Sequence, residues 1–204
     1  MTRENLIQSL IGDGYLKTPA IIDAFQKIDR KDFVPEEQKE RAYVNEALPI
    51  GYGQTTSQPL VVAFMLELLQ LKPGERVLEI GTGSGWKTAL LAQLGGTVFS
   101  IERIEELQKI ADKNIQKYGF IENGSVKLLS GDGSKGYPEE ASFDKIIAGA
   151  AADTLPEAWK EQLNIGGRIV APVGESILVL EKISKNKFKT EEYFGFSFVP
   201  LIRS

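Results

Sequence analysis

The sequence predicts an α/β fold, a doubly wound and mostly parallel sheet of about seven strands with a small helical extension at the N-terminus. Three observations carry this prediction. An apolar run at 77–80 meets alternating glycines and then a helical pattern. A second apolar run at 98–101 ends in an acid, Glu102. Beyond it, short strand patterns alternate with amphipathic helices, which is the order of a sheet with crossover helices.

The stretch from Arg76 to Glu102 is the part that organises the chain. Strand, glycine turn, helix, strand and acid together form one nucleotide-binding βαβ unit of a Rossmann-like fold. Glycine is needed where a strand turns sharply into a helix, and where a ligand leaves no space for a Cβ. The helix start offers unpaired N–H groups to a negative group, and Glu102 is placed to accept hydrogen bonds from a ribose diol.

The glycine spacing argues against a dinucleotide cofactor. A Gly-x-Gly-x-x-Gly motif would need glycine where the chain has Trp86 or Thr88, so an NAD-dependent oxidoreductase fits poorly. An acid instead stands two residues before three alternating glycines, in the order Glu79-x-Gly81-x-Gly83-x-Gly85. This pattern resembles the cofactor loop of class I methyltransferases, which use S-adenosylmethionine.

Composition restricts the chemistry. The chain contains no cysteine and no histidine, so disulfides, a thiolate nucleophile, an imidazole base and Cys- or His-ligated metal sites are excluded, and we expect no metal. A net charge of −4 argues against a large nucleic-acid footprint. The apolar run at 61–69 is too short to span a bilayer, and we expect a cytoplasmic monomer without nucleic-acid or membrane partners.

A chain of 204 residues fits one domain with a sizeable core. We expect residues 1–204 to form that domain. Residues 1–58 would be an N-terminal extension with a substrate or lid loop, and residues 59–204 the cofactor-binding core.

The N-terminal extension begins with two short helical patterns. Gly12-Asp13-Gly14 ends the first, and we expect Thr18 to cap the second with Pro19 at its first position. Residues 30–41 are rich in charge and are interpreted as a solvated helix and connection.

Residues 42–59 form a different kind of segment, in which prolines, glycines, hydroxyls and amides crowd before an apolar helix at 60–71. We predict an irregular segment with Ser57 as the N-cap of that helix and Pro59 in its first turn. A cap alone does not require so many small and polar residues, so the segment is also predicted to be a lid or substrate loop.

At this segment the resemblance becomes specific. The chain is similar to protein-L-isoaspartate O-methyltransferases over nearly its whole length. The matching stretches are Ala47-Leu48-Pro49-Ile50-Gly51, Gly53-Gln54-Thr55-Thr56-Ser57-Gln58-Pro59, Val77 to Gly85, Ser100-Ile101-Glu102-Arg103, Gly131-Asp132-Gly133, Gly166 to Gly174 and Phe198-Val199-Pro200-Leu201. One departure is Asn45, where the family usually carries Asp, and it puts an acid–base role at that position in doubt.

The remaining elements follow from periodicity. We predict strands at 126–129, 143–147, 168–173, 177–183 and 188–202, and helices at 104–118 and 156–163. Asp132 is either a turn aspartate or an adenine-recognition residue, and its place at the end of a strand favours the second role. The aromatic residues near the C-terminus are predicted to be core.

The resemblance implies the reaction. A methyl group would pass from S-adenosylmethionine to the free α-carboxylate of an L-isoaspartyl residue in a damaged protein, and the ester would cyclise without the enzyme to a succinimide. A carboxylate with a pKa of about 4 is ionised near neutral pH and needs no general base. The task of the protein is therefore positioning and exclusion of water.

Site residues follow from the same resemblance. We expect Ser57 and Thr55 to donate hydrogen bonds near the acceptor carboxylate, with Asn45 orienting them. The cofactor-binding residues are predicted to be Gln54, Thr56, Pro59, Glu79, Gly81, Thr82, Gly83, Gly85, Glu102, Arg103, Asp132 and Gly133. Two alternatives stay open at this point, a methyltransferase for another small acceptor and a non-catalytic protein that binds S-adenosylmethionine.

Overall fold

The fold is described by a computed structural model that covers residues 1–203. Within these residues the helices are α1 (Arg3–Gly12), α2 (Pro19–Lys27), α3 (Pro59–Leu69), α4 (Trp86–Gln93), α5 (Glu105–Gln116) and α6 (Glu157–Glu161). The strands are β1 (Leu48–Gly51), β2 (Gln54–Thr56), β3 (Arg76–Ile80), β4 (Thr97–Glu102), β5 (Val126–Ser130), β6 (Phe143–Ala148), β7 (Leu163–Val173), β8 (Ser176–Ser184) and β9 (Lys187–Phe194).

Seven of these strands form one sheet in the order β5-β4-β3-β6-β7-β8-β9. Strands β3 to β7 pair in parallel, and β8 and β9 continue the sheet as antiparallel neighbours. The α/β, mostly parallel prediction is therefore confirmed. The strand order reverses between β3 and β6, and ligands of such sheets bind at the carboxyl ends of the strands at this reversal point.

Apolar side chains cover both faces of the sheet. On one face Val77 and Val98 belong to the same buried cluster as Leu6 of α1 and Phe25 of α2, so the N-terminal helices share a core with the sheet. On the other face the fully buried Trp159 packs in a second cluster with residues of β3 and β6. Within residues 1–203 the helices are all too short or too polar to cross a bilayer.

Residues 30–41 differ from the prediction of a solvated helix. They form two 3-10 turns, Arg30–Phe33 and Glu36–Arg41, and Arg30 is only 2% exposed. Pro19 begins α2 as predicted, but the Thr18 hydroxyl donates to the Glu67 carboxylate at 2.7 Å and does not cap the helix.

The segment at 42–59 is more regular than predicted. β1 and β2 form a two-stranded antiparallel hairpin, with Leu48 opposite Thr56. Its tip, Gly51 to Gly53, has positive φ at all three residues, including Tyr52 at 54°. Two glycines make this tight turn possible, since they adopt such angles without steric cost.

The C-terminal third also departs from the prediction. The predicted helix at 156–163 is a short turn of helix, Glu157–Glu161, and β7 begins at Leu163. The last strand, predicted at 188–202, ends at Phe194. The chain after it turns back over the sheet, where Pro200 bridges Ala151. Phe194 is 76% exposed, so its assignment to the core was wrong, whereas Phe196 and Phe198 do pack against the core.

Candidate active site at the carboxyl edge of the sheet

A cleft opens at the reversal point of the sheet, where the turns after β3, β4 and β6 meet. Its volume is about 590 Å³, including the part open to solvent. The turns after β3 and β6 lie against each other, since the Gly149 N–H donates to the Ile80 carbonyl at 2.8 Å. The C-terminal residues 199–202 line the opposite wall. The cleft therefore lies where a nucleoside ligand is expected in this fold.

The glycine turn after β3 has the backbone geometry that its sequence predicts. Gly81, Gly83 and Gly85 have φ angles of 84°, 57° and 95°. Gly81 faces Gly149, whose Cα would lie 4.0 Å from a Cβ on Gly81. Larger residues at these positions would be strained, and those at Gly81 and Gly149 would also narrow the cleft.

Glu79 lies beneath this turn and is completely buried. Its Oε2 accepts hydrogen bonds from the Thr88 hydroxyl at 2.5 Å and the Ser100 hydroxyl at 2.7 Å. The Ser100 hydroxyl lies 2.6 Å from that of Thr82. Burial raises the pKa of the Glu79 carboxyl, although the nearby Lys87 ammonium and the two hydroxyls oppose the shift. This polar network fixes the turn to β4 and α4.

Lys87 is the charged partner of Glu79. Its Nζ lies 3.6 Å from Glu79 Oε1, and burial lowers the pKa of the Lys87 ammonium. A Cβ on Gly149 would come within 3.0 Å of the same Nζ. The ammonium therefore lies at the junction of the β3 and β6 turns.

Glu102 ends β4 and faces the cleft with both oxygens held. Its Oε2 accepts a hydrogen bond from the Gly83 N–H at 2.9 Å, and its Oε1 accepts one from the Ile104 N–H at 3.1 Å. A carboxylate has about four lone-pair sites, so hydroxyl groups of a ligand can still bind. This geometry suits the predicted ribose contact.

Asp132 behaves as a turn residue in the structure. Its Oδ1 accepts a hydrogen bond from the Ser134 N–H at 2.9 Å, and its side chain is only 4% exposed. The flanking Gly131 and Gly133 line the cleft. Adenine recognition by Asp132 itself stays a prediction.

A second cavity of about 370 Å³ joins the hairpin to the glycine turn. Thr55, Thr56 and Ser57 line one side of it, and the turn after β3 lines the other. Within residues 1–203 the Ser57 hydroxyl makes no hydrogen bond, so this side chain does not cap α3. The predicted N-cap role of Ser57 is therefore wrong.

Asn45 takes over the stabilisation of the α3 start. Its Oδ1 accepts a hydrogen bond from the Leu60 N–H at 3.0 Å, while its carbonyl accepts one from the Gln58 amide at 2.9 Å. The side-chain oxygen satisfies an N–H group of the first turn that has no partner within the helix, as an N-cap does. The structure thus gives Asn45 a supporting position behind the cavity.

The structure brings most of the predicted site residues together. Those that line the two cavities are Gln54, Thr55, Thr56, Ser57, Gly81, Thr82, Gly83, Glu102, Arg103 and Gly133. Those that do not line either cavity are Asn45, Pro59, Glu79, Gly85 and Asp132. Gly85 is needed for packing, because a Cβ there would come within 2.9 Å of the Ile115 side chain.

Three parts of the site were not predicted from the sequence. Lys87 had a detectable signal, since it is a lone charge in the apolar helix α4. Ser100 similarly interrupts the apolar strand β4. Residues 199–201 match the family, but their place in the cleft depends on the chain turning back after β9, whereas a strand was predicted there.

Buried polar atoms support a polar ligand at this site. Within residues 1–203, Ser84 Oγ and Trp86 Nε1 are buried and lack a hydrogen-bond partner. Both residues line the second cavity, one in the glycine turn and one at the start of α4. Over the same residues, acidic side chains do not form any group of three or more that could hold a metal ion.

A family model for protein-L-isoaspartate(D-aspartate) O-methyltransferase matches residues 1–204. The chain belongs to this family. A protein-L-isoaspartate O-methyltransferase from Methanopyrus kandleri is 44% identical over 98% of this chain and 91% of the relative. One from Dictyoglomus turgidum is 46% identical over 98% of this chain and 90% of the relative.

Solved structures agree on the fold. A Plasmodium falciparum chain described as a protein-L-isoaspartate O-methyltransferase, in complex with S-adenosyl-L-homocysteine, superposes with a TM-score of 0.89. It is 23% identical, and the match covers 100% of both chains. A second protein-L-isoaspartate O-methyltransferase structure superposes with a TM-score of 0.87 at 28% identity, over 98% of this chain and 65% of that one.

Proposed function

We propose that this chain transfers a methyl group from S-adenosylmethionine to the free α-carboxylate of L-isoaspartyl residues in damaged proteins and peptides. The methyl ester then cyclises without the enzyme to a succinimide, which can reopen to aspartate. The single observation that carries the proposal is the cavity shared by Thr55 to Ser57 and the glycine turn. There the segment typical of the family faces the cofactor loop directly.

The cofactor side is suited to a charged nucleoside ligand. When bound, S-adenosylmethionine supplies a methyl group on a positively charged sulfur, which leaves as a neutral thioether. Glu102 would accept hydrogen bonds from the ribose hydroxyls, and the glycine turn would hold the amino-acid part close to the backbone. The unpartnered Trp86 N–H and Ser84 hydroxyl are further candidate contacts.

The acceptor side requires no proton transfer, because an acceptor carboxylate with a pKa of about 4 is ionised near neutral pH. Ser57 and Thr55 would donate hydrogen bonds that orient this carboxylate. A hydrogen bond to a nucleophile also weakens it, so Ser57 acts by orientation. The free Ser57 hydroxyl supports this role, since it is not committed to the helix.

Next to this cavity lies a third, of about 740 Å³, which is open to solvent and offers space for the peptide. Ser57 and Gln58 line it together with Phe198 and Val199 of the C-terminal segment. We expect the damaged peptide to enter from this side. The proposal includes a single domain that acts as a cytoplasmic monomer without nucleic-acid or membrane partners. The net charge of −4 supports the absence of a nucleic-acid partner.

One assay tests the proposal. The protein is mixed with S-adenosylmethionine labelled in the methyl group and with paired peptides that contain isoaspartyl or aspartyl at one position. Base-labile label on the isoaspartyl peptide alone is the expected result. Binding of the cofactor without label would favour a non-catalytic protein, and label on another small acceptor would favour a different methyltransferase.

Ser57→Ala tests the role of the serine in the same assay. We expect kcat/KM for the isoaspartyl peptide to fall about 10- to 100-fold, since a hydrogen bond to a charged group is worth about 1.5–3 kcal/mol. The melting temperature should stay unchanged, because the hydroxyl holds no structural hydrogen bond. Ser184→Ala, an exposed serine at the end of β8, is the control. Unchanged methylation by Ser57→Ala would remove the serine from the acceptor site.

A further inference from the structure

Arg30 is a buried cation that lies outside the cavities described above. Its Nη1 donates to the carbonyls of Ala42 and Val44, each at 3.0 Å. Its Nη2 donates to the carbonyls of Glu46 at 2.8 Å and Ser57 at 3.1 Å. All four acceptors are main-chain atoms of the segment 42–57, so one side chain joins the two ends of the hairpin.

The charge of Arg30 has no acidic partner within residues 1–203. Burial of the guanidinium lowers its pKa to about 9. A buried cation without a carboxylate is costly, and an apolar side chain of similar volume would avoid that cost. An apolar side chain, however, could not donate hydrogen bonds to the four carbonyls, which come from two separate stretches of the chain.

Arg30 also connects this segment to the cofactor side. Its guanidinium carbon lies 5.1 Å from the centre of the Trp86 ring, within the range of a cation–π contact. Trp86 begins α4 and lines the same cavity as Ser57. The guanidinium therefore contacts the segment 42–57 by hydrogen bonds and α4 by the cation–π contact with Trp86.

The backbone that carries Arg30 is itself held in place. The preceding Asp29 accepts a hydrogen bond from the Lys31 N–H at 2.9 Å and another from the Tyr43 hydroxyl at 2.8 Å. The Asp29 N–H donates to the Tyr118 hydroxyl at 2.9 Å, beyond the end of α5. The turn that presents Arg30 is thus a fixed support for the hairpin.

We propose that Arg30 is the positioning residue of the acceptor site, which sets the place of Ser57 relative to the cofactor by holding the Ser57 carbonyl. The inference rests on the proposed function. The Ser57 hydroxyl makes no bond of its own, so its position depends on its backbone. Arg30 supplies the bond that reaches this backbone from outside the hairpin.

The test is Arg30→Lys, which keeps the charge. An ammonium is a compact charge with three donors. It cannot donate to all four carbonyls, which the planar fork of the guanidinium reaches. We expect a rise of about tenfold in KM for the isoaspartyl peptide, with a lower kcat, because small displacements of an orienting group have large kinetic effects. The affinity for S-adenosylhomocysteine should change by less than about twofold, since Arg30 lies outside the cofactor cleft and the lysine ammonium can keep a cation–π contact with Trp86.

Arg168→Lys is the matched control. Arg168 is a partly buried arginine that donates to the Leu68 carbonyl at 2.9 Å and pairs with Glu181, away from the cavities. It should lose stability without a change in peptide KM. If Arg30→Lys behaved like Arg168→Lys, losing stability alone, or if peptide KM and cofactor affinity changed together, the positioning role would be overturned.

Hydrogen exchange gives a readout that does not depend on activity. In Arg30→Lys saturated with S-adenosylhomocysteine, the amides of residues 54–57 should exchange faster while those of β3 stay protected. An inactive wild type would refute the proposed function, whereas unchanged exchange in the variant would refute the role of Arg30. If the variant does not fold, the wild type decides. Exchange at 54–57 as fast as in an unstructured peptide would then contradict an anchored segment.

Discussion

The cofactor side of the cleft, Arg76 to Glu102, and the acceptor side, residues 42–59, differ in what fixes their backbones. The cofactor side is fixed by parallel strand pairing, since β3 pairs with both β4 and β6. Its glycine turn also packs on a buried polar network. The acceptor side has a two-stranded hairpin, which is marginal by itself. Its position is set by side chains that bind main-chain groups, from Arg30, Asn45 and Gln58.

This difference has an energetic meaning. Strand pairing is cooperative with the whole sheet, so the cofactor side can be lost only when the core opens. The acceptor side can loosen by breaking a few polar contacts while the sheet stays intact. Substitutions on the two sides should therefore separate into changes of stability and cofactor affinity on one hand, and changes of peptide kinetics on the other.

The largest effect is expected at Glu79. Glu79→Ala leaves the Lys87 ammonium buried without its partner, which costs about 3–5 kcal/mol in the free energy of unfolding. Urea unfolding monitored by circular dichroism measures the loss. The double variant Glu79→Ala/Lys87→Met should lose less than the single one, because it removes the unpaired charge. Equal losses would show that the ion pair is not what stabilises the turn.

A smaller effect, limited to cofactor binding, is expected at Glu102. In Glu102→Gln the side-chain NH₂ replaces one carboxylate oxygen, so the N–H of either Gly83 or Ile104 loses its acceptor. The ribose also loses a charged acceptor. We expect the affinity for S-adenosylhomocysteine to fall about 10- to 100-fold, from hydrogen bonds worth about 1.5–3 kcal/mol. Calorimetric titration measures it. Glu106→Gln, an exposed residue of α5, should bind like the wild type.

The smallest effect is expected at Asn45. Asn45→Ala removes the acceptor of the Leu60 N–H and should cost about 1 kcal/mol of stability, as the loss of an N-cap does. We expect kcat/KM for the peptide to fall while cofactor affinity is kept. Asn45→Asp retains the acceptor and adds a negative charge at a helix start, so it should be at least as stable as the wild type. A drop in cofactor affinity with Asn45→Ala would contradict the prediction that the two sides act separately.

The same difference explains what the sequence could predict. The cofactor side was predictable because its information is local, with apolar periodicity, glycine spacing and an acid at a strand end within 27 residues of chain, from 76 to 102. The strands and helices there begin and end within a few residues of the prediction. Glu102 and the glycine turn lie at the cleft as expected.

The acceptor side was less predictable because its bonds are distant and aperiodic. Arg30 stands in a run of charged residues, where a solvated side chain is the usual outcome, and only the fold shows that four carbonyls converge on it. Serine is a residue type typical of an N-cap, which is why Ser57 was predicted in that role. The N–H of Leu60 instead donates to the side chain of Asn45, which is 15 residues away in the sequence. Side-chain bonds to the main chain across such distances leave no pattern in the sequence.

The two backbone bonds to Glu102 bear on the thermodynamics of recognition. Because N–H groups of Gly83 and Ile104 already fix its rotamer, an arriving ribose meets a preorganised carboxylate and immobilises no additional torsion there. The entropic cost of adenosine capture then falls mainly on the ligand. A nucleoside rigidified in its bound sugar pucker should accordingly gain more affinity than any remodelling of this side chain could provide.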